Sequence, residues 1–256
     1  MLIDSHIHLD ADEFDADRDE LIAAARAVGV RGFVVPAVDR ASFERVRALA
    51  TARTDVCPAL GIHPLYVMGA QEDDLGVLEG LLARGEARAV GEIGLDNFVT
   101  DVDSERQLEF FVAQLKLARR HALPVILHVR RAVDPILKQL RRIEVPGGIA
   151  HAFNGSRQQA QMFIDLGFRL GFGGAMSFEG STRIRELARS LPLDAIVLET
   201  DAPDIPPAWG QGARNVPANL ARYAAILAEL RGISVDEVAA TTGRNARDAL
   251  GGWLPA

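Results

Sequence analysis

Six residues of this chain are of types that bind divalent metals, and each stands at the end of a short apolar run. They are His6 and His8 in IDSHIHL, Glu92 in AVGEIGLD, His128 in PVILHVR, His151 in GGIAHAF and Asp201 in AIVLETDAP. Imidazole nitrogens and carboxylate oxygens are the usual donors of hydrolytic metal centres. Four imidazoles and two carboxylates arriving from different strands are what a two-metal hydrolytic site needs, with cations that orient a water, lower its pKa and stabilise developing charge.

His6 and His8 are two residues apart. On a strand, positions i and i+2 share a face, so both rings can reach one ion. The same spacing also describes two buried, hydrogen-bonded histidines at a strand end. Asp4 shares their face and can orient one ring from behind. Glu92 lies between Gly91 and Gly94, whose missing side chains let backbone or metal come close. Its two oxygens can bridge two cations, and a buried carboxylate is costly unless it is paired or metal-bound. His128 and His151 occupy equivalent positions on successive runs, and Arg130 shares the face of His128. Glu199 precedes Asp201 by two residues. One of these carboxylates can bind metal and take a proton while the other hydrogen-bonds a liganding histidine.

Ligands so far apart in sequence need a scaffold that brings strand ends together. The chain has 256 residues, 48% of them hydrophobic, and a single α/β barrel commonly has about 250. Eight β-rich runs are visible, at 2–8, 32–38, 56–62, 87–93, 124–129, 147–153, 168–174 and 195–200. Helical patterns lie between them near 17–28, 41–53, 72–84, 104–121, 132–142, 156–166 and 182–190, with two more at 217–231 and 234–249. Leu108, Phe111, Val112, Leu115 and Ala118 fall on one helical face. Ser104 with Gln107, Ser156 with Gln159 and Ser234 with Glu237 fit capping boxes. Alternating units argue for parallel strands with helical crossovers. Eight of them, with ligands at the carboxyl ends of runs 1, 4, 5, 6 and 8, favour one (β/α)8 TIM barrel domain over 1–256, carrying extra terminal helices, over an open doubly wound sheet. A barrel converges those ends on one mouth.

Net charge is −7, unlike proteins that grip long duplex DNA, which are usually basic. Any nucleic-acid contact is therefore expected to be local and short. Cys57 is the only cysteine, which rules out an internal disulfide and fits a reducing compartment. No signal-peptide pattern and no stretch near the roughly 20 apolar residues of a membrane span stand out. A cytoplasmic monomer that does not engage membranes is the expectation.

The combination IDSHIHL, GIHP at 61–64, VGEIGLD at 90–96, QLKLARRHALPVILHVRRA at 114–132, HAFNGS at 151–156, LETDAPDIPP at 198–207 and RNVPANL at 214–220 resembles the TatD family of metal-dependent deoxyribonucleases, within the amidohydrolase-like set of TIM barrels. The resemblance covers nearly the whole chain in order. It implies two divalent ions: one held by His6, His8 and Asp201, the second reached by a bridging Glu92 and bound by His128 and His151. It further implies that His63 and Arg130 face a substrate phosphate, that Asn154, Arg214 and Asn215 contact substrate, and that Glu199 stands behind the ligands. The chain departs from the family pattern at Asn97, which separates GLD from the aromatic Phe98, and at Val216.

These readings lead to metal-assisted phosphodiester hydrolysis of the 3'–5' exodeoxyribonuclease type, acting on DNA strand ends or small phosphodiesters. Asp201 serves as general base as well as ligand, and Glu92 is the second residue essential to catalysis. Mg, Mn and Zn all suit the donor set. Because barrel loops can change chemistry without changing fold, an amidohydrolase-like enzyme acting on a small amide, lactone or phosphoester is the competing expectation.

Overall fold

In the computed structural model, which describes residues 1–255, every expected run overlaps a strand. They are β1 (Leu2–Asp4), β2 (Val30–Pro36), β3 (Val56–Leu60), β4 (Ala89–Asp96), β5 (Val125–Arg130), β6 (Gly148–Ala150), β7 (Phe168–Phe172) and β8 (Ile196–Leu198). Each pairs in parallel with the next in chain order. The helices are α1 (Arg18–Ala27), α2 (Arg40–Ala52), α3 (Glu72–Ala83), α4 (Ser104–Arg120), α5 (Val133–Leu140), α6 (Arg157–Asp165), α7 (Thr182–Ser190), α8 (Leu220–Arg231) and α9 (Val235–Ala249). Parallel neighbours joined by helical crossovers make the (β/α)8 TIM barrel.

The barrel closes just beyond the last ladder rungs. The Ser5 N–H donates to the Leu198 carbonyl at 3.0 Å. Asp4 accepts from both the backbone N–H (2.8 Å) and the hydroxyl (2.6 Å) of Thr200. Asp4 thus sews β1 to the end of β8, and no histidine ring is its partner. Burial, working against these hydrogen bonds, raises its carboxyl to about 8.

Alternation along the strands splits the core in two. Ile3, Val34, Ala59, Ala89, Ile126, Ile149 and Val197 form an inner cluster, closed at one end by Ala246, Leu250 and Trp253. Residues on the opposite strand faces, such as Phe33, Val90, Leu127 and Leu170, pack with the helices. Leu250 and Trp253, just beyond α9, plug the barrel floor near the start of β2, so the opposite end is the open one.

Local differences from the sequence expectations have clear causes. Strands 1, 6 and 8 stop before their ligands, so His6, His8, His151 and Asp201 sit on the first residues of loops. Leu108 is 36% exposed, whereas the rest of its stripe is buried or half-buried. The cap of α4 is Asp103, which accepts from the Glu105 and Arg106 N–H groups. Gln107 is withdrawn into the core instead of completing a box with Ser104. The box of Ser156 with Gln159 forms in both directions, and Ser234 accepts from Glu237 N–H. Pro217–Asn219 make a 3-10 turn, and α8 begins only at Leu220. No described helix is long and apolar enough to cross a membrane.

Candidate metal centre

The strand ends bring His6, His8, His63, Glu92, His128, His151 and Asp201 into one cluster at the barrel mouth. His6 Nε2 lies 3.4 Å from His8 Nε2, 3.2 Å from Glu92 Oε2 and 3.5 Å from Asp201 Oδ1. His8 Nε2 stands 3.8 Å from Glu92 Oε2 and 3.7 Å from Asp201 Oδ1. Ligands about 2.1 Å from a common ion are separated by roughly 3–3.5 Å when cis to one another, so these four atoms are spaced like the corners of a coordination shell. Asp201 reaches this position through a left-handed backbone, with φ of 56°, a conformation that aspartate tolerates better than most residues. Its N–H donates to the His6 carbonyl at 2.8 Å, which locks two of the donors to each other.

Glu92 is the hub. Its Oε1 faces the other way, 3.0 Å from His128 Nδ1 and 3.6 Å from His63 Nε2. The β4–β5 ladder shifts register between Val90 and Ile93, and the Glu92 N–H crosses to the Ala37 carbonyl on the β2 side. The flanking glycines make room for β5, not for metal. A Cβ on Gly91 would meet Ile126 at 2.6 Å, and one on Gly94 (φ 153°) would meet the His128 carbonyl oxygen at 2.0 Å.

His128 and His151, expected to share an ion, each stand within reach of Glu92. In the structure His128 keeps company with His63, their ring centroids 4.3 Å apart, while His151 stacks on His6 at 3.7 Å. Glu199 Oε1 lies 3.1 Å from His151 Nδ1 and accepts from the Ala152 N–H at 2.6 Å, which aims the opposite nitrogen towards Asp201 Oδ2 at 3.7 Å.

The protonation states follow from burial and charge. Burial holds His6 below its ordinary value, with His151 adding to the effect. Burial also lowers His63 to about 3. Both are neutral imidazoles at neutral pH, with a lone pair to offer. In His63 that lone pair is on Nδ1, which accepts from the Leu65 N–H at 3.2 Å. Its proton therefore sits on Nε2, facing the mouth as a donor. Burial pulls His151 down, but Asp201 and Glu199 outweigh it and raise the ring to about 10. For Glu92, burial is overcome by the imidazoles that surround it, among them the hydrogen-bonding rings of His128 and His6, and its carboxyl falls well below the usual range. Four nearly buried carboxylates, Glu92, Asp96, Glu199 and Asp201, lie here with Arg130 as the nearest guanidinium, 3.9 Å from Asp96. Buried negative charge on this scale calls for cations, and the donor set fits divalent metal. Three overlapping groups are gathered closely enough to hold an ion, His6–His8–Asp201, His6–Glu92–His151 and His63–Glu92–His128, and in the last His63 turns its N–H, not a lone pair, to the centre.

Asp96 was not singled out from the sequence. Its Oδ2 lies 2.9 Å from His128 Nε2, and its other oxygen accepts from the Phe98 and Val99 N–H groups. The carboxylate terminating GEIGLD was the available signal. Gln107 and Gln114 on α4 were also missed. Gln107 exchanges hydrogen bonds with the backbone of Asp96, and Gln114 with that of Ile62 beside His63. Their seven-residue spacing within an apolar stripe was legible.

The remaining candidates are scattered. Arg130 is half exposed at the rim. Asn154 is exposed and accepts from Arg183 at 2.7 Å. Arg214 bonds the Glu13 carbonyl and Asp17. Asn215 is wholly buried and donates to the Thr200 and Ile205 carbonyls, so it shapes the loop after β8 from beneath.

A family model described as TatD related DNase matches residues 3–251. The chain is 42% identical over 240 residues, 93% of each chain, to an Escherichia coli K12 protein named as an uncharacterized metal-dependent hydrolase, YjjV. The crystal structure of Escherichia coli YjjV, a TatD homologue, matches with a TM-score of 0.93 at 40% identity over 97% of both chains. A Klebsiella pneumoniae protein named as a 3'-5' ssDNA/RNA exonuclease, TatD, is 32% identical over 261 residues, 98% of each chain. With its barrel, its histidine and carboxylate cluster and these relatives, the chain belongs to the TatD family of metal-dependent hydrolases.

Proposed function

We propose that the protein is a two-metal phosphodiesterase that shortens single-stranded DNA from an end, in the 3'–5' direction. The observation that carries this reading is the division of Glu92, one oxygen turned to His6 and His8 and the other to His63 and His128. His6, His8 and Asp201 would hold one ion, and Glu92 would bridge to a second with His128 and His151. When bound, divalent cations supply an activated water and charge stabilisation at phosphorus. An imidazole-rich set suits Zn or Mn at least as well as Mg.

The chain's own groups do the rest. Asp201 accepts the proton of the attacking water, with His151 held beside it by Glu199. His63 donates from Nε2 to a phosphate oxygen. Arg130 approaches from the rim, where a guanidinium can take phosphate in a fork. One chain carries all of these groups, in keeping with action as a monomer, and the free, buried Cys57 is in keeping with the cytoplasm. Support for a nucleic-acid substrate comes from the Klebsiella pneumoniae relative.

The test is a substrate panel with metal-reconstituted protein: bis(p-nitrophenyl) phosphate, a cyclic amide and a lactone. Turnover confined to the phosphodiester is expected. Faster turnover of the amide or lactone would replace this reading with an amidohydrolase-like one.

A further inference from the structure

The Phe98 ring is 45% exposed on the loop after β4, where a large apolar group facing water calls for an explanation. Two guanidiniums lie over it, Arg130 at 3.9 Å and Arg131 at 4.6 Å from the ring centroid. The loop beneath is built to hold it. Asn97 N–H donates to the Arg130 carbonyl at 2.9 Å, and its side chain donates to the Arg131 carbonyl at 3.2 Å. Asp96 accepts from the Phe98 N–H at 2.8 Å with one oxygen while the other lies 2.9 Å from His128. A single carboxylate therefore links the position of the aromatic ring to the metal cluster.

Arg130 and Arg131, seated on the ring, bring two cations to this part of the rim, where they can attract a phosphate. A strand entering the mouth has its backbone drawn to the two arginines, and beside them Phe98 offers the uncovered part of a flat apolar ring. Base-on-aromatic stacking suits every base because each has a π-face.

We infer that Phe98 is the stacking platform for the base next to the phosphodiester under attack, with Arg130 and Arg131 holding the adjoining phosphates. This rests on the nuclease reading above and adds the element that selects an unpaired nucleotide. The site takes single strands with little sequence preference, because stacking and phosphate contact do the recognising.

The test compares wild type, Phe98→Ala and Phe98→Trp on two single-stranded oligonucleotides. One has natural bases throughout, and the other has abasic tetrahydrofuran residues at the two terminal positions of both ends. Phe98→Ala is expected to raise KM on the natural strand about ten-fold, about 1.4 kcal/mol, with kcat within about two-fold. Phe98→Trp restores KM. On the abasic strand, wild type and Phe98→Ala share one KM, raised to the mutant's level. An equal rise in KM on both strands would make Phe98 a prop for Arg130 and overturn the inference, as would an unchanged KM on both. If wild type cleaves neither strand, the nuclease reading itself falls and takes the inference with it.

Discussion

Asp201 and Glu199 show how two carboxylates two residues apart are given different work. Asp201 faces His6 and His8 from a left-handed backbone, while Glu199 is turned back onto His151 and the Ala152 N–H. Asp201→Asn should lower kcat/KM by roughly 10³-fold or more, since it takes the charge from a ligand and removes the proton acceptor. Glu199→Gln should keep the fold, because its carbonyl oxygen can still take the Ala152 N–H. It should weaken metal binding or turnover by about 10–100-fold, read by competition titration and by kcat/KM. A Glu199→Gln enzyme indistinguishable from wild type would remove Glu199 from the centre. At this scale the sequence was legible wherever chemistry is written in residue type, as with the HxH pair and the ETD segment. It was silent about Asp96, whose role depends on a histidine 32 positions later. It was also silent about the company His63 keeps, which depends on β3 lying beside β4.

Among elements, α4 positions more of the site than any other helix. Gln114 takes the Ile62 N–H at 2.7 Å and donates to its carbonyl at 3.0 Å, fixing the strand end that leads to His63. Gln114→Leu would leave both backbone groups buried and unpaired. At about 1–3 kcal/mol for each unsatisfied group, a loss of roughly 2–4 kcal/mol is expected, measured as a lower urea midpoint with an unchanged slope. An unchanged midpoint would show that the pair does not support the loop. Hydrophobic period placed the nine helices of the described residues within a few positions because it depends on local sequence alone. The ends were harder. Strands 1, 6 and 8 are cut short where the ligand residues leave the ladder, and the α4 cap moved to Asp103 once Gln107 found buried partners.

At the scale of the whole molecule, the barrel gathers groups separated by up to 195 positions, from His6 to Asp201, because β1 and β8 meet through Ser5, Asp4 and Thr200. Eight alternating units and ligands at strand ends made that closure readable from the sequence. The stacking of His151 on His6 and the seating of Phe98 under two guanidiniums were not, since both depend on how loops cross the mouth. A cluster rich in buried carboxylates is stabilised by the ions it binds. Stripping metal from protein kept at about 100 times Kd should remove about 2.7 kcal/mol, lowering Tm by roughly 5–10 °C in a thermal melt with and without chelator. An identical Tm would mean that no ion is held there. The most direct measurement is digestion of an end-labelled single-stranded DNA oligonucleotide by metal-stripped protein, with Mg, Mn or Zn added back and Glu92→Gln as control. A metal-dependent ladder shortening from the 3' end, absent with Glu92→Gln, is the predicted result. No cleavage with any of the three metals, from protein shown to bind them, would contradict it.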